Sequence, residues 1–206
     1  MIQNDCYLIG LTGGIATGKS TVSKMLSNKG YKIIDADIIS REVVKVGEPA
    51  YNDIVNTLGL RILLDDNSIN RKKLGRLIFS SPILREAINN IVHPRVFEEI
   101  KTQIEKYCHD NKTIFVDIPL LFECYHRLEE NDIILDEIWL VYTDKDTQLK
   151  RLMERDNIST DEAMSKINAQ MNLEEKKRKS TKVLENNGDI NLLENNLNRL
   201  ITELEA

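Results

Sequence analysis

The most constraining stretch of the chain is Gly13-Gly14-Ile15-Ala16-Thr17-Gly18-Lys19-Ser20, a G-x-x-x-x-G-K-S run. An apolar segment at 7–11 stands before it, and an amphipathic segment carrying Val22, Met25 and Leu26 follows. Strand, glycine loop and helix form the context in which this spacing carries chemistry. Backbone N–H groups turn inward around an anion, and the helix N-terminus adds positive potential. Lys19 is then placed for the β- and γ-phosphates of a nucleoside triphosphate, and the Ser20 hydroxyl for Mg²⁺. Gly13 and Gly18 are the glycines the loop needs, with Gly14 helping the turn.

The rest of the pattern alternates strands and helices. Residues 7–12 read as the first strand, 31–35 as the second, 113–117 as the third, 138–142 as the fourth and 183–184 as a short last one. Residues 50–108 read as a helical insertion. His93-Pro94 is expected to interrupt its last helix, because the residue before proline is pushed out of the helical region. A helix is expected from Ser159 to about Met171, and the final helix places Ile190, Leu193, Leu197, Leu200 and Leu204 on one stripe. The expected fold is α/β: a P-loop NTPase-type parallel sheet flanked by helices, with a helical acceptor-binding insertion and a lid. Ligands bind beyond the carboxyl ends of such strands. The core is expected at about 1–48, 110–145 and 180–206, and the lid at about 146–172.

With 206 residues the chain can bury one sizeable core. A net charge of −5 disfavours a nucleic-acid partner, so an anionic substrate must be held by locally placed Lys and Arg. No apolar run reaches membrane-spanning length. Three widely spaced cysteines, Cys6, Cys108 and Cys124, form no C-x-x-C pair, and a reducing, cytoplasmic compartment fits them best.

Phosphoryl transfer needs a metal, positive charge on the moving group, and something to orient or deprotonate the acceptor. Asp35 and Asp37 flank Ala36 at the end of strand 2, and an extended backbone would put both on one side. Asp37 is a candidate base or metal-water ligand, or else the cap of the helix that follows. Arg41, one turn on, can clamp a phosphate, pair with an aspartate or face solvent. Asp117 ends an apolar strand, either as the second acid of a Mg²⁺ site or as an ordinary strand-end carboxylate. Arg151 and Arg155 share a helix face. They can neutralise transition-state charge or simply be solvated. Lys176-Lys177-Arg178-Lys179 follows Glu174-Glu175 and reads as a solvated helix face. His93 alone reads as a capping or packing residue.

Taken in order, these motifs resemble the dephospho-CoA kinase family over nearly the full length. The resemblance is carried by 10–15 running into the P-loop, Asp35-Ala36-Asp37 with Arg41, and His93-Pro94. It continues through the 116–123 segment Val-Asp-Ile-Pro-Leu-Leu-Phe-Glu, 148–152 with Arg155-Asp156, Gln170-Met171, and Asn186-Asn187-Gly188. It implies ATP-dependent phosphorylation of the ribose 3′-hydroxyl of dephospho-coenzyme A. It implies ATP contacts at Gly13, Gly14, Ile15, Ala16, Thr17, Gly18, Lys19, Ser20, Thr21 and Arg155, and catalytic roles for Asp37, Lys19 and Arg151. Acceptor contacts are implied at Asp37, Arg41, His93 and Leu120, and Mg²⁺ at Ser20 and Asp117. Ala16 departs from the pattern, since another glycine is usual there. Asn172 and Glu185 likewise stand where proline and aspartate are usual. Another small-molecule or nucleoside monophosphate kinase, and a nucleotide-binding regulator without transferase activity, are the alternatives. The expected state is a monomer or small homo-oligomer with a small-molecule substrate.

Overall fold

A computed structural model describes residues 6–206 and divides the chain into two compact units, 1–34 with 104–206, and 35–103. The first unit is built on a five-stranded sheet of order β2-β3-β1-β4-β5. Its strands are β1 (Tyr7–Gly13), β2 (Lys32–Asp35), β3 (Thr113–Asp117), β4 (Glu137–Tyr142) and β5 (Lys182–Glu185). β1 lies between β3 and β4 and pairs parallel with both, and β4 pairs parallel with β5. Parallel strands are covered on both faces, so they are continuously apolar rather than alternating. Leu8, Ile9 and Leu11 of β1 and Ile114, Phe115 and Val116 of β3 are all fully buried. Phe115 meets Trp139 edge to face, with ring centroids 5.2 Å apart. The strand order reverses at β1, so the crevice where such sheets bind ligands opens at its carboxyl end.

Helix α1 (Lys19–Asn28) follows β1 and buries Val22 and Leu26 against the sheet. The chain then turns at Gly30, whose φ of +94° suits glycine. Helix α10 (Ile190–Glu205) closes the same core with Leu193, Leu197, Leu200 and Ile201. Ile190, expected on that stripe, is exposed, and Leu204 is only partly covered.

The second unit is helical. It holds α2 (Ala36–Glu42), α3 (Pro49–Leu58), a 3₁₀ turn at Leu60–Ile62, α4 (Arg71–Ser80) and most of α5 (Pro82–Cys108). Its core gathers Tyr51, Ile54, Leu58, Ile62, Ile69 and Ile88. Because the division falls at 34/35, α2 groups with these helices and not with the core, which the sequence predicts to run to about 48.

His93-Pro94 does not interrupt α5, which runs unbroken for 27 residues with Pro94 inside it. An interior proline removes one backbone bond and costs about 3 kcal/mol. The burial of Ile88, Val96, Phe97 and Ile100 on either side outweighs that loss. Arg95 adds a bond from its guanidinium to the Ile91 carbonyl (2.6 Å) and an ion pair to Asp53 on α3 (2.5 Å).

Between β3 and β4 lies α6 (Tyr125–Glu130), a short helix the sequence pattern does not predict. After β4 come α7 (Lys145–Asp156), α8 (Thr160–Asn168) and α9 (Leu173–Lys179). The helix expected from Ser159 to Met171 therefore stops at Asn168, and a turn at 169–172 separates it from α9. Asn172 makes that break local, because its side chain accepts from the Glu174 N–H and caps the new helix. Cys6, just before β1, is disulfide-bonded to Cys108 at the end of α5. The bond runs against the expectation of reduced cysteines, and a separation of 102 residues hides this pair from any spacing rule. Among the described residues no helix is long and apolar enough to cross a membrane.

Candidate functional site

The phosphate loop leaves the carboxyl end of β1 and ends at Gly18, which has φ +91° and precedes the first residue of α1, Lys19. A side chain at Gly18 would be strained, and its Cβ would stand 2.3 Å from the Asn186 Nδ2. Thr17 is buried and closes the turn, donating from its hydroxyl to the Gly14 carbonyl (2.9 Å). Thr21 donates its N–H to the Gly18 carbonyl (3.0 Å), and Ser20 stands exposed in the first turn of α1.

Lys19 forms an ion pair with Asp117, the last residue of β3. Asp117 is 1% exposed, so its carboxylate is held out of water beside the ammonium. Two acidic and basic groups expected to face the phosphates and metal are thus brought together in the first unit.

The loop is also tied down by residues that belong to the motifs carrying the family resemblance but to which the sequence assigned no role. The Ile15 carbonyl accepts from the Gln148 Nε2 on α7, and the Ile15 N–H donates to the Gln170 Oε1 in the 169–172 turn, both at 2.8 Å. From the β5–α10 connection, the Asn186 Nδ2 donates to the Thr17 carbonyl at 2.8 Å. Gly14 is tight for this reason: a Cβ there would meet the Gln148 Nε2 at 2.9 Å and the Leu173 Cδ2 at 3.1 Å.

Arg151 belongs to this scaffold. Its guanidinium donates to the carbonyls of Asn186 (2.8 Å) and Gly188 (3.3 Å). Asn187 continues the contact, accepting from the Thr143 hydroxyl (2.7 Å) and the Asp144 N–H (2.8 Å). Arg155, its expected neighbour in function, lies exposed and pairs with Asp156 instead (2.8 Å). That bond, with one from Lys166, holds the Asp156 carboxyl down at about 2.

Lys176 corrects the reading of 176–179 as a solvated face, because it is fully buried and paired with Glu123 at 2.9 Å. Glu123 also accepts from the Met171 N–H (3.0 Å), so one carboxylate fastens both α9 and the turn that carries Gln170. Glu175 and Lys179, four residues apart on α9, form an ordinary exposed helix pair at 3.3 Å. Between the end of β4 and α9 lies a cavity of about 340 Å³, lined among others by Tyr142, Gln148, Gln170 and Leu173. The hydrogen bond from the Tyr142 hydroxyl to the Glu174 carboxylate pushes the phenol up to about 12. Burial raises the Cys124 thiol to about 11, which leaves it protonated and poorly nucleophilic near neutrality. Leu120, in the turn after β3, is 45% exposed.

In the second unit, the helical turn begins at Ala36, so the extended backbone expected through Asp37 ends at Asp35. Asp35 is the N-cap of α2, accepting from the N–H groups of Asp37 (2.8 Å) and Ile38 (3.0 Å). The capping role considered for Asp37 therefore falls to Asp35, and the Asp37 side chain stays exposed in the first turn. Arg41 is exposed in the last turn, and its carbonyl accepts from Arg71 (3.1 Å). His93 is half-buried and stacks edge-on against Phe97 with ring centroids 6.1 Å apart.

A P-loop at the carboxyl end of β1 with a paired lysine and aspartate is the phosphate-holding part of a phosphotransferase. The family described as dephospho-CoA kinase matches residues 7–191. The chain belongs to the dephospho-CoA kinase family. A dephospho-CoA kinase of Carboxydothermus hydrogenoformans is 45% identical over 184 residues, covering 89% of this chain and 87% of its own. A crystal structure from Thermus thermophilus superposes with a TM-score of 0.79 at 30% identity, covering 97% of this chain and 98% of its own. The dephospho-CoA kinase of Campylobacter jejuni does so with a TM-score of 0.71 at 28% identity over 96% of each chain.

Proposed function

We propose that the chain transfers the γ-phosphoryl group of ATP to the ribose 3′-hydroxyl of dephospho-coenzyme A, giving coenzyme A and ADP, the last step of coenzyme A biosynthesis, in the cytoplasm. The observation that supports this best is the tethered P-loop with its Lys19–Asp117 pair, in a chain that matches the family over 7–191.

The loop amides and Lys19 hold the β- and γ-phosphates. The exposed Ser20 hydroxyl and the Asp117 carboxylate are hard oxygen donors, and they are the residues that would hold Mg²⁺. When bound, Mg²⁺ supplies charge neutralisation on the phosphate oxygens. Asp37 is free of capping duty and takes the proton from the 3′-hydroxyl. The oxygen then bonds to the γ-phosphorus as the bond to the β-phosphate oxygen breaks. Arg41, His93 and Leu120 contact the acceptor, and the helical stretch of about 50–108 is the acceptor-binding insertion. Residues 146–172 act as the lid, with Arg155 contacting ATP. Arg151 acts on the reaction from its anchorage on the β5–α10 connection.

Incubation with ATP, Mg²⁺ and a panel of dephospho-coenzyme A, AMP and pantothenate, with products identified by mass, tests the reading. Coenzyme A and ADP are expected. Product from AMP alone would replace it with a nucleoside monophosphate kinase.

A further inference from the structure

The structure places Ala16 in the left-handed region, at φ +60°, inside the phosphate loop. An L-residue with a Cβ is disfavoured there by about 1–2 kcal/mol relative to the right-handed region, whereas glycine is not. Something must hold the backbone in place. The residue before it, Ile15, has both its polar backbone groups bound by glutamine side chains from two separate elements. The Gln148 Nε2 donates to the Ile15 carbonyl and the Gln170 Oε1 accepts from the Ile15 N–H, each at 2.8 Å.

The Ile15 carbonyl and the Ala16 N–H belong to one trans peptide plane and point in opposite directions. A bond that fixes the carbonyl toward Gln148 therefore fixes the Ala16 N–H away from it. Gln148 is 3% exposed, so its amide is shielded from competing water. Gln170 is steadied in turn: its neighbour Met171 donates to Glu123, which is paired with the buried Lys176.

We infer that Gln148 and Gln170 are positioning residues for ATP binding: they clasp the Ile15 peptide and so hold Ala16 in the left-handed conformation that the phosphate loop requires. Neither glutamine needs to touch the nucleotide. The inference rests on the reading of the loop as an ATP site, and it deepens that reading.

The clasp and the strain at position 16 are then coupled, which an unrelated packing role would not produce. ATP affinity is measured by equilibrium dialysis, without acceptor, for the full-length protein and for Gln148→Ala, Gln170→Ala, Ala16→Gly and the two double variants with Ala16→Gly. Losing one such bond weakens ATP binding by roughly 10-fold. The larger effect is expected for Gln148→Ala, whose bond orients the peptide plane directly. Adding Ala16→Gly to either variant is expected to recover most of the loss, because glycine adopts the required conformation unaided. In turnover the Gln148→Ala effect should fall on the KM for ATP and leave the acceptor KM in place. If Gln148→Ala fails to fold, the Gln170→Ala pair carries the same test. Unchanged ATP affinity in the glutamine variants, or no recovery on adding Ala16→Gly, overturns the inference. Absence of ATP binding by the unaltered protein would instead overturn the reading of the site.

Discussion

The phosphate loop and the start of α2 are both short polar turns leaving a strand, and they are held in opposite ways. The loop is fixed from outside. Gln148, Gln170 and Asn186 reach it from 133, 155 and 169 residues away, and Lys19 pairs across 98 residues with Asp117. The α2 turn is fixed from within, by Asp35 capping N–H groups two and three residues on. The loop must keep its backbone donors aimed before an anion arrives, and such pre-orientation requires a rigid surround. The α2 turn has only to present one carboxylate. A local cap does that and leaves the Asp37 side chain exposed, as the proposed base must be.

The sharpest way to break this contrast is Asp37→Asn. It should lower turnover by roughly 10²–10⁴-fold while ATP affinity, set by the loop, stays put. Near-normal turnover in a coenzyme A assay would remove the base from the α2 turn. Next in size is Glu123→Ala. It strands the buried Lys176 ammonium and frees the Gln170 turn, at a cost of about 3 kcal/mol, and chemical denaturation reads it directly. An unchanged midpoint would mean that the turn is not anchored there. Asp35→Ala tests the locally held side. Loss of an N-cap should cost about 1 kcal/mol and reduce turnover through Asp37 without altering ATP affinity. A change in ATP affinity would show that the two turns are not independent.

The smallest effect concerns Asp156, whose carboxyl is held at about 2 by Arg155 and Lys166. Its folded-state value lies below the ordinary carboxylate value near 3.8. The stabilisation it gives is therefore complete above pH ~4 and is lost as pH falls toward about 2. Acid titration of Asp156→Asn should lack that part of the decline and match the parent protein near pH 2. Identical curves across the window would assign the pair no role in stability.

Much of this was legible along the chain. The P-loop spacing, the apolar strands at 7–12 and 113–117 and the acid at 117 are patterns within a few residues, and local geometry decides what they become. Even Asn172 as a helix start follows a local rule, since Glu174-Glu175 lie in the first turn after it. Pro94 is the reverse case. Its local rule was sound, and the buried side chains around it overrode the rule. Lys176 is similar: its neighbours in sequence describe a solvated face, and only Glu123, 53 residues earlier, explains its burial.

The sequence by itself determined the G-x-x-x-x-G-K-S loop and the parallel sheet that carries it, because those follow from short-range spacing and from the polarity of buried strands. The family's ordered motifs added the acceptor. Only the tertiary structure decided what holds the loop in shape. A hydrogen bond from Gln148 or Asn186 carries no periodic signature, and its partner is chosen by how β4, β5 and α7 meet around β1. Ala16 joins the two levels. The sequence shows a residue where glycine is usual, and the structure shows the left-handed backbone and the two glutamines beside it.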